Sequence, residues 1–164
     1  MESKLFGNSS DWMRSLKDPI DATSLLQLEI PPMDWIVDGM FSTSQVGYLY
    51  SGTGKGKSLN AMLLNYCIAT GKPFGRYRVP KPRKVLYLDG EMQPIEFQQR
   101  LLRLNLTDKD YEKFISNFFY WNGLYGEEFP DLSDKKSYAK FVNYCVQNDI
   151  KLATIDNYCA MTRM

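Results

Sequence analysis

The chain has 164 residues, enough for one domain with its own hydrophobic core. It is 44% hydrophobic, 14% aromatic and 24% charged, and its net charge of +1 creates no global field that would favour nucleic acid or a membrane surface. The absence of histidine excludes a Ser–His or Cys–His nucleophile pair and the usual zinc sites.

The cysteine pattern and the hydropathy indicate a cytoplasmic protein. Cys67, Cys145 and Cys159 are widely separated and form no CxxC pair, which predicts reduced and mostly buried thiols. No apolar run is long enough to span a membrane, and the first residues do not resemble a signal peptide. We therefore expect no membrane partner.

The N-terminal residues are interpreted as an extension ahead of the main domain. A short helix carrying Trp12 and Leu16 is predicted within residues 1–27. Ile30-Pro31-Pro32 marks a boundary, because proline interrupts regular structure. Residues 28–164 are predicted to form the main domain.

From residue 46 onward, strands and helices are predicted to alternate, which is typical of an α/β fold with a parallel sheet flanked by helices. The predicted strands are Val46–Tyr50, Lys84–Asp89, Phe118–Trp121 and Leu152–Ile155. The predicted helices begin at Lys57, at Gln93-Pro94, after a Thr107 cap and after a Ser133 cap, and Gly71 ends the first.

Apolar spacing predicts which side chains face the core. Two helices show the i, i+3, i+4, i+7, i+8 pattern, at Leu59, Met62, Leu63, Tyr66 and Cys67 and at Tyr138, Phe141, Val142, Cys145 and Val146. The strand tyrosines, interpreted as core aromatics, are Tyr48, Tyr50, Tyr87 and Tyr120.

A glycine-rich loop lies between the first predicted strand and the first predicted helix: Ser51-Gly52-Thr53-Gly54-Lys55-Gly56-Lys57-Ser58. Its glycines allow backbone N–H groups to surround an anion, and the helix dipole behind them favours negative charge. Lys57 would place its charge at the outer phosphates of ATP, and the Ser58 hydroxyl would bind Mg²⁺. Ser51 stands where the usual pattern has glycine, and Lys55 is interpreted as a solvated loop residue. The alternative is a simple turn before a core helix, which the flanking strand and helix disfavour.

Two acidic residues follow predicted strands and are candidates for hydrolysis. Glu91 lies just beyond the second strand, and Asp156 ends the last one. One carboxylate would activate the attacking water and the other would hold the magnesium shell. In parallel sheets such groups gather at the carboxyl ends of the strands. Taken singly, each could instead be a turn former or helix cap, and Asp89 is interpreted as structural.

The order of these motifs resembles a known family. Lys84–Met92, followed by Gln99-Arg100-Leu101, is similar to the second-strand glutamate motif of RecA-like ATPases, in the form found in bacterial replicative helicases and plasmid RepA-type helicases. Pro32–Met40 resembles the segment that precedes their P-loop strand, and Leu152–Asn157 resembles their Walker B strand. The resemblance spans about residues 30 to 160.

The resemblance implies a RecA-like P-loop ATPase that uses ATP and Mg²⁺. Lys57 and Ser58 match the Walker A lysine and hydroxyl, Glu91 the catalytic base, and Asp156 the aspartate that holds magnesium through water. It also implies self-association and DNA as a partner in replication or recombination. Members of the family continue past the Walker B strand, so we expect this chain to be part of a longer protein or to complete its sheet by direct pairing or with a strand from a neighbour.

Two other functions stay open. Leu88-Asp89-Gly90-Glu91 resembles the strand end of adenylylsulfate-type kinases, which would transfer phosphate to a small acceptor, although no arginine-rich lid is found. The chain could also be a nucleotide-binding assembly module that does not hydrolyse ATP.

Overall fold

The computed structural model describes residues 18–43, 45–104, 107–125 and 129–157, with only the backbone of Asp108. The chain divides into two compact units, Met1–Asp34 and Trp35–Met164. In the described part of the first unit, Asp21 caps the short helix α1 (Ala22–Gln27) by accepting from the Ser24 amide. The helix predicted around Trp12 lies outside the described residues, and the domain boundary after residue 27 stays a prediction.

The second unit contains a two-stranded antiparallel sheet and a three-stranded parallel sheet. No helix in the described ranges is long and apolar enough to cross a membrane. The elements in chain order are β1 (Trp35–Val37), β2 (Phe41–Ser42), α2 (Lys57–Thr70), β3 (Val85–Asp89), α3 (Pro94–Leu102), α4 (Asp108–Asn117), β4 (Phe118–Asn122), α5 (Lys135–Gln147) and β5 (Leu152–Asp156).

The parallel sheet has the order β4-β3-β5, with β3 in the centre. Every residue of β3 is buried, which explains why that strand is almost continuously apolar. The register places Asp89 beside Asp156 on β5 and beside Asn122 on β4. The carboxyl ends of all three strands therefore meet at one edge, as the sequence predicted for an α/β fold.

Helices cover both faces of this sheet. On one face, Val85 and Tyr87 pack among side chains of α2, α3 and α4. On the other face, Leu86 and Leu88 pack with Phe141 of α5. The α/β class with a helix-flanked parallel sheet is thus confirmed.

The predicted strand Val46–Tyr50 is wrong, because residues 45–50 adopt no regular secondary structure. Tyr48 is 91% exposed and Tyr50 is 95% exposed, so neither is a core aromatic. An apolar segment forms a strand only where a neighbouring strand pairs with its backbone. In the described part of the chain, β5 pairs with β3 alone, so residues 45–50 do not pair with the other edge of β5.

The predicted core stripes of two helices are only partly correct. Met62, Tyr66 and Cys67 of α2 are buried, but Leu59 and Leu63 are exposed. In α5, Phe141 is buried, whereas Tyr138, Val142 and Val146 are exposed. Periodicity identifies an apolar stripe, but the neighbouring elements decide how much of it is covered.

The helix ends mostly follow the sequence signals. Gly71 follows α2 in a left-handed conformation, and Thr107 caps α4 by accepting from the Asp110 amide. The Ser133 cap is wrong by one residue, since Asp134 accepts from the Ser137 amide at 2.7 Å and begins α5. The Ser133 hydroxyl donates instead to the neighbouring carboxylate of Asp131.

Candidate functional site

The glycine-rich loop leads directly into α2. Gly54 and Gly56 have φ values of 74° and 79°, a left-handed conformation that favours glycine at both positions. Lys57 is the first residue of α2, and its Nζ donates to the carbonyls of Ser51 at 2.9 Å and Gly52 at 3.1 Å. The lysine thus holds the start of the loop against the helix.

The N-terminus of α2 remains accessible to an anion. Residues 52–56 are exposed, and no side chain caps the helix at Gly56. The first turn of α2 carries no acidic residue that would repel negative charge. This arrangement suits a phosphate group, which the exposed N-terminal end of a helix attracts.

Asp156 and Glu91 lie at the same edge of the sheet. Asp156 ends β5 opposite Asp89, and its carbonyl accepts from the Gly90 amide at 2.8 Å, which extends the strand pairing by one residue. Glu91 follows and is exposed. Its Oε1 accepts from the Asn157 side-chain amide at 2.5 Å. The structure therefore brings Glu91 next to the residue that follows Asp156.

Asp89 is only 1% exposed and supports the turn that carries Glu91. Its Oδ1 accepts from the backbone amides of Glu91 at 3.1 Å and Met92 at 2.9 Å. Its Oδ2 accepts from the Tyr120 hydroxyl at 3.0 Å. With both oxygens engaged inside the protein, Asp89 has the contacts of a structural residue, in agreement with its interpretation from the sequence.

The Tyr87 hydroxyl connects the loop helix to the acidic edge. It donates to Asp156 Oδ2 at 2.7 Å and lies 3.4 Å from the backbone carbonyl oxygen of Ser58. Burial, followed by the hydrogen bond to Asp156, raises the pKa of Tyr87 well above its usual value. The phenol therefore bonds to the side chain of Asp156 and lies beside the backbone of Ser58, the two predicted metal-binding residues.

Sequence reasoning placed Tyr87 in the core but missed the role of its hydroxyl. A buried tyrosine hydroxyl nearly always has a polar partner, and that rule was the available signal. A second missed contact joins α2 to β5, where Asn65 donates to the Thr154 hydroxyl at 2.7 Å. Asn65 lies on the buried face of α2, so its amide fixes the helix against the strand that ends in Asp156.

The chemistry of these groups fits magnesium. The Ser58 hydroxyl and the Asp156 carboxylate are hard oxygen donors, which Mg²⁺ prefers. Within the described residues, no group of three or more His, Cys, Asp or Glu side chains could enclose a metal ion. Mg²⁺ typically uses one or two protein ligands and completes its shell with water and substrate phosphates.

A helix-flanked parallel sheet, with a glycine-rich loop entering a helix at lysine and with carboxylates at the adjacent strand ends, defines a P-loop nucleoside triphosphatase domain. A family model described as AAA domain (AAA_25) matches residues 14–162, and the chain belongs to this family of RecA-like, AAA-type P-loop ATPases. No curated protein matches the chain. The family resemblance expected from the motif order is confirmed, and family membership implies nucleotide binding.

Proposed function

We propose that the chain binds ATP at residues 51–58 and hydrolyses it with Mg²⁺. The observation that carries this proposal is the placement of three site residues at one edge of the sheet. The Tyr87 hydroxyl donates to Asp156 and lies 3.4 Å from the backbone carbonyl oxygen of Ser58, and Glu91 is bonded to Asn157, the residue after Asp156. Phosphate binding and water activation need groups of these kinds within a few ångströms of each other. The order of the motifs supports the same assignment.

Lys57 would neutralise the outer phosphates. Its ammonium group already lies against the loop, where two backbone carbonyls accept its hydrogen bonds. A phosphate oxygen is a stronger acceptor than a carbonyl because it carries a full negative charge. ATP would therefore compete favourably for the same protons, and the backbone N–H groups of residues 51–58 would complete the cradle.

Glu91 would act as the general base. Its carboxylate is exposed, and the bond to Asn157 holds it at the edge beside Asp156. An ionised carboxylate in that position can accept a proton from water as the water attacks phosphorus. Ser58 and Asp156 would hold Mg²⁺, with Asp156 acting through water, and bound Mg²⁺ would offset the negative charge that develops on the phosphates.

Replacing Glu91 by glutamine tests the base. Glu91→Gln keeps the shape and a hydrogen-bond acceptor but removes the basic group, so we expect ATP turnover to fall about 10²–10⁴-fold. Binding of a fluorescent ATP analogue should stay within about threefold of the unsubstituted chain, because binding does not depend on proton abstraction. Glu96→Gln, in the exposed first turn of α3, is the matched control and should leave turnover unchanged.

The outcomes separate the competing functions. Equal turnover in Glu91→Gln and the unsubstituted chain would remove Glu91 as the base. Nucleotide binding without any turnover would favour an assembly module that does not hydrolyse ATP. Release of ADP only in the presence of a small acceptor that becomes phosphorylated would favour a kinase.

DNA coupling and self-association form the finer part of this proposal. DNA is supported by the family resemblance alone, since a net charge of +1 provides no general attraction. Self-association is supported by the edge of β5, which forms no further strand pair with the described residues. The test is ATP turnover with and without single-stranded DNA, together with sedimentation velocity with and without Mg·ATP. ATP turnover that is indifferent to DNA would count against the helicase-like role.

A further inference from the structure

The Tyr87 hydroxyl is fixed in space by the hydrophobic core. Tyr87 lies in the middle of β3 and is fully buried. Its ring centroid is 5.0 Å from that of Phe97 in a tilted arrangement and 6.5 Å from that of Phe118 in a stacked one. A tyrosine has only two side-chain torsions, and here packing restricts both. The core therefore determines where the hydroxyl points.

The phenol has a single proton, and the structure shows where it goes. Asp156 Oδ2 is 2.7 Å away, whereas the Ser58 carbonyl oxygen is 3.4 Å away. A hydrogen bond to a carboxylate is charge-assisted and stronger than one to a carbonyl. A tyrosine phenol ordinarily loses its proton only near about pH 10, so the hydroxyl is a donor at neutral pH.

We propose that Tyr87 is a positioning residue for Asp156, whose Oδ2 it holds so that the other carboxylate oxygen is left for the water shell of Mg²⁺. This inference rests on the proposed function. Across the described ranges, the Tyr87 hydroxyl is the one hydrogen-bond donor to the Asp156 side chain. A half-buried aspartate at the end of β5 would otherwise sample several side-chain rotamers.

The same hydroxyl lies between the two elements that carry the proposed metal-binding residues. Ser58 is in the first turn of α2, and Asp156 ends β5. Tyr87 stands on the strand beside β5 and contacts both of them. The atom of Ser58 in this contact is its backbone carbonyl oxygen, and the phenol proton goes to Asp156. The hydrogen bond to Asp156 is therefore the contact that positions a proposed metal-binding side chain.

Tyr120 provides a matched control. It is the register partner of Tyr87 on β4, and its ring stacks on Phe97 at 4.1 Å. Its hydroxyl also donates to an aspartate, but that aspartate is Asp89, which the metal does not use in our proposal. Tyr120→Phe therefore removes the same atom from a hydroxyl–aspartate contact one strand away, together with the hydrogen bond that this hydroxyl accepts from the Asn122 side-chain amide at 2.8 Å.

The experiment compares Tyr87→Phe, Tyr120→Phe and the unsubstituted chain. Each is titrated with a non-hydrolysable ATP analogue, first in EDTA and then at increasing Mg²⁺. For Tyr87→Phe we expect half-saturation to need about threefold to tenfold more Mg²⁺, as the loss of one hydrogen bond predicts, while binding in EDTA is unchanged. Tyr120→Phe should match the unsubstituted chain in both media. The nucleotide-induced rise in the thermal midpoint is recorded as well, because it can be measured even in a less stable variant.

A double substitution keeps the test decisive. In the Asp156→Ala background, Tyr87→Phe should cause no further loss of Mg²⁺ dependence, because the hydroxyl would have no carboxylate to orient. Additive losses, or a Tyr87→Phe variant that matches the unsubstituted chain, would overturn the positioning role. If nucleotide binding to the unsubstituted chain does not respond to Mg²⁺, the proposed magnesium site itself is wrong. This failure of the proposed function is distinguishable from a failure of the positioning role, because it is seen without any substitution of Tyr87.

Discussion

The carboxyl ends of β3 and β5 and the segment 45–56 form two halves of one candidate site, and they are held in different ways. At the strand ends, Asp89 is buried and accepts three hydrogen bonds, and Tyr87 fixes Asp156. The segment 45–56 is mostly exposed, and two bonds from Lys57 to backbone carbonyls restrain the start of its loop. The carboxylates are preorganised by the core, whereas the phosphate loop depends on a single cation.

Because the two halves are held differently, we expect one to contribute mainly to stability and the other mainly to nucleotide binding. Groups fixed by core packing require no reorganisation when a ligand arrives, so they suit catalytic and metal-binding roles. A loop with few contacts opens at low free-energy cost and can close around a ligand. Removing the buried, hydrogen-bonded Asp89 at the strand ends should therefore lower stability, whereas substitutions in the loop should mainly lower nucleotide affinity.

The largest effect on stability within the candidate site is expected at Asp89. Asp89→Ala leaves the Tyr120 hydroxyl and two backbone amides without their acceptor, so the free energy of unfolding should fall by about 3 kcal/mol. Urea denaturation of the purified chain measures this change. Asp38→Ala is the control, because Asp38 pairs with Arg78 at the surface and should contribute about 1 kcal/mol or less. Equal losses in both variants would show that the two aspartates are held alike.

The next effect concerns the loop. Lys57→Ala removes the charge that we propose neutralises the outer phosphates, and we expect the affinity for an ATP analogue to fall about 10–100-fold with little change in stability. Fluorescence titration and thermal unfolding measure the two quantities on the same sample. Lys113→Ala, an exposed lysine of α4, should change neither. A stability loss comparable to that of Asp89→Ala would mean that the lysine also supports the fold, which would remove the contrast between the two halves.

The smallest effect is expected at Tyr48. This side chain is exposed, so Tyr48→Ser should change the free energy of unfolding by less than about 0.5 kcal/mol. Tyr66→Ser is the comparison, since Tyr66 is buried against Phe114 and its loss should cost about 3 kcal/mol or more. Both values come from the same urea titrations. A Tyr48→Ser loss above about 1 kcal/mol would show that the segment packs in solution as the sequence predicted.

Local signals in the sequence were sufficient for much of the fold. The three paired strands, the start of α2 at Lys57 and its end before Gly71 all follow from apolar runs, a glycine-rich loop and a C-terminal glycine. The placement of Glu91 and Asp156 at one edge follows from a general property of parallel sheets. These features depend on residues close together in the chain, or on a rule that holds for the whole fold class.

The segment 45–50 shows where such signals fail. Val46–Tyr50 has the composition of a strand, yet it lies unpaired. Gly47 fits there because a Cβ atom would approach the Phe41 ring to 2.5 Å, a contact across six residues that depends on how the chain turns between them. Leu59 and Leu63 of α2 are exposed for a similar reason, because the neighbouring elements decide which apolar side chains of a helix are covered.

The sequence by itself thus determined the class of fold, the phosphate loop and the identity of the candidate acidic residues, because each is written in short motifs in a fixed order. Only the tertiary structure decided that Tyr87 supports Asp156, that Asn65 joins α2 to β5 and that Asp89 shapes the turn carrying Glu91. The physical reason is that a hydrogen bond depends on distance and direction between atoms, and the sequence sets these only after the sheet and helices have packed.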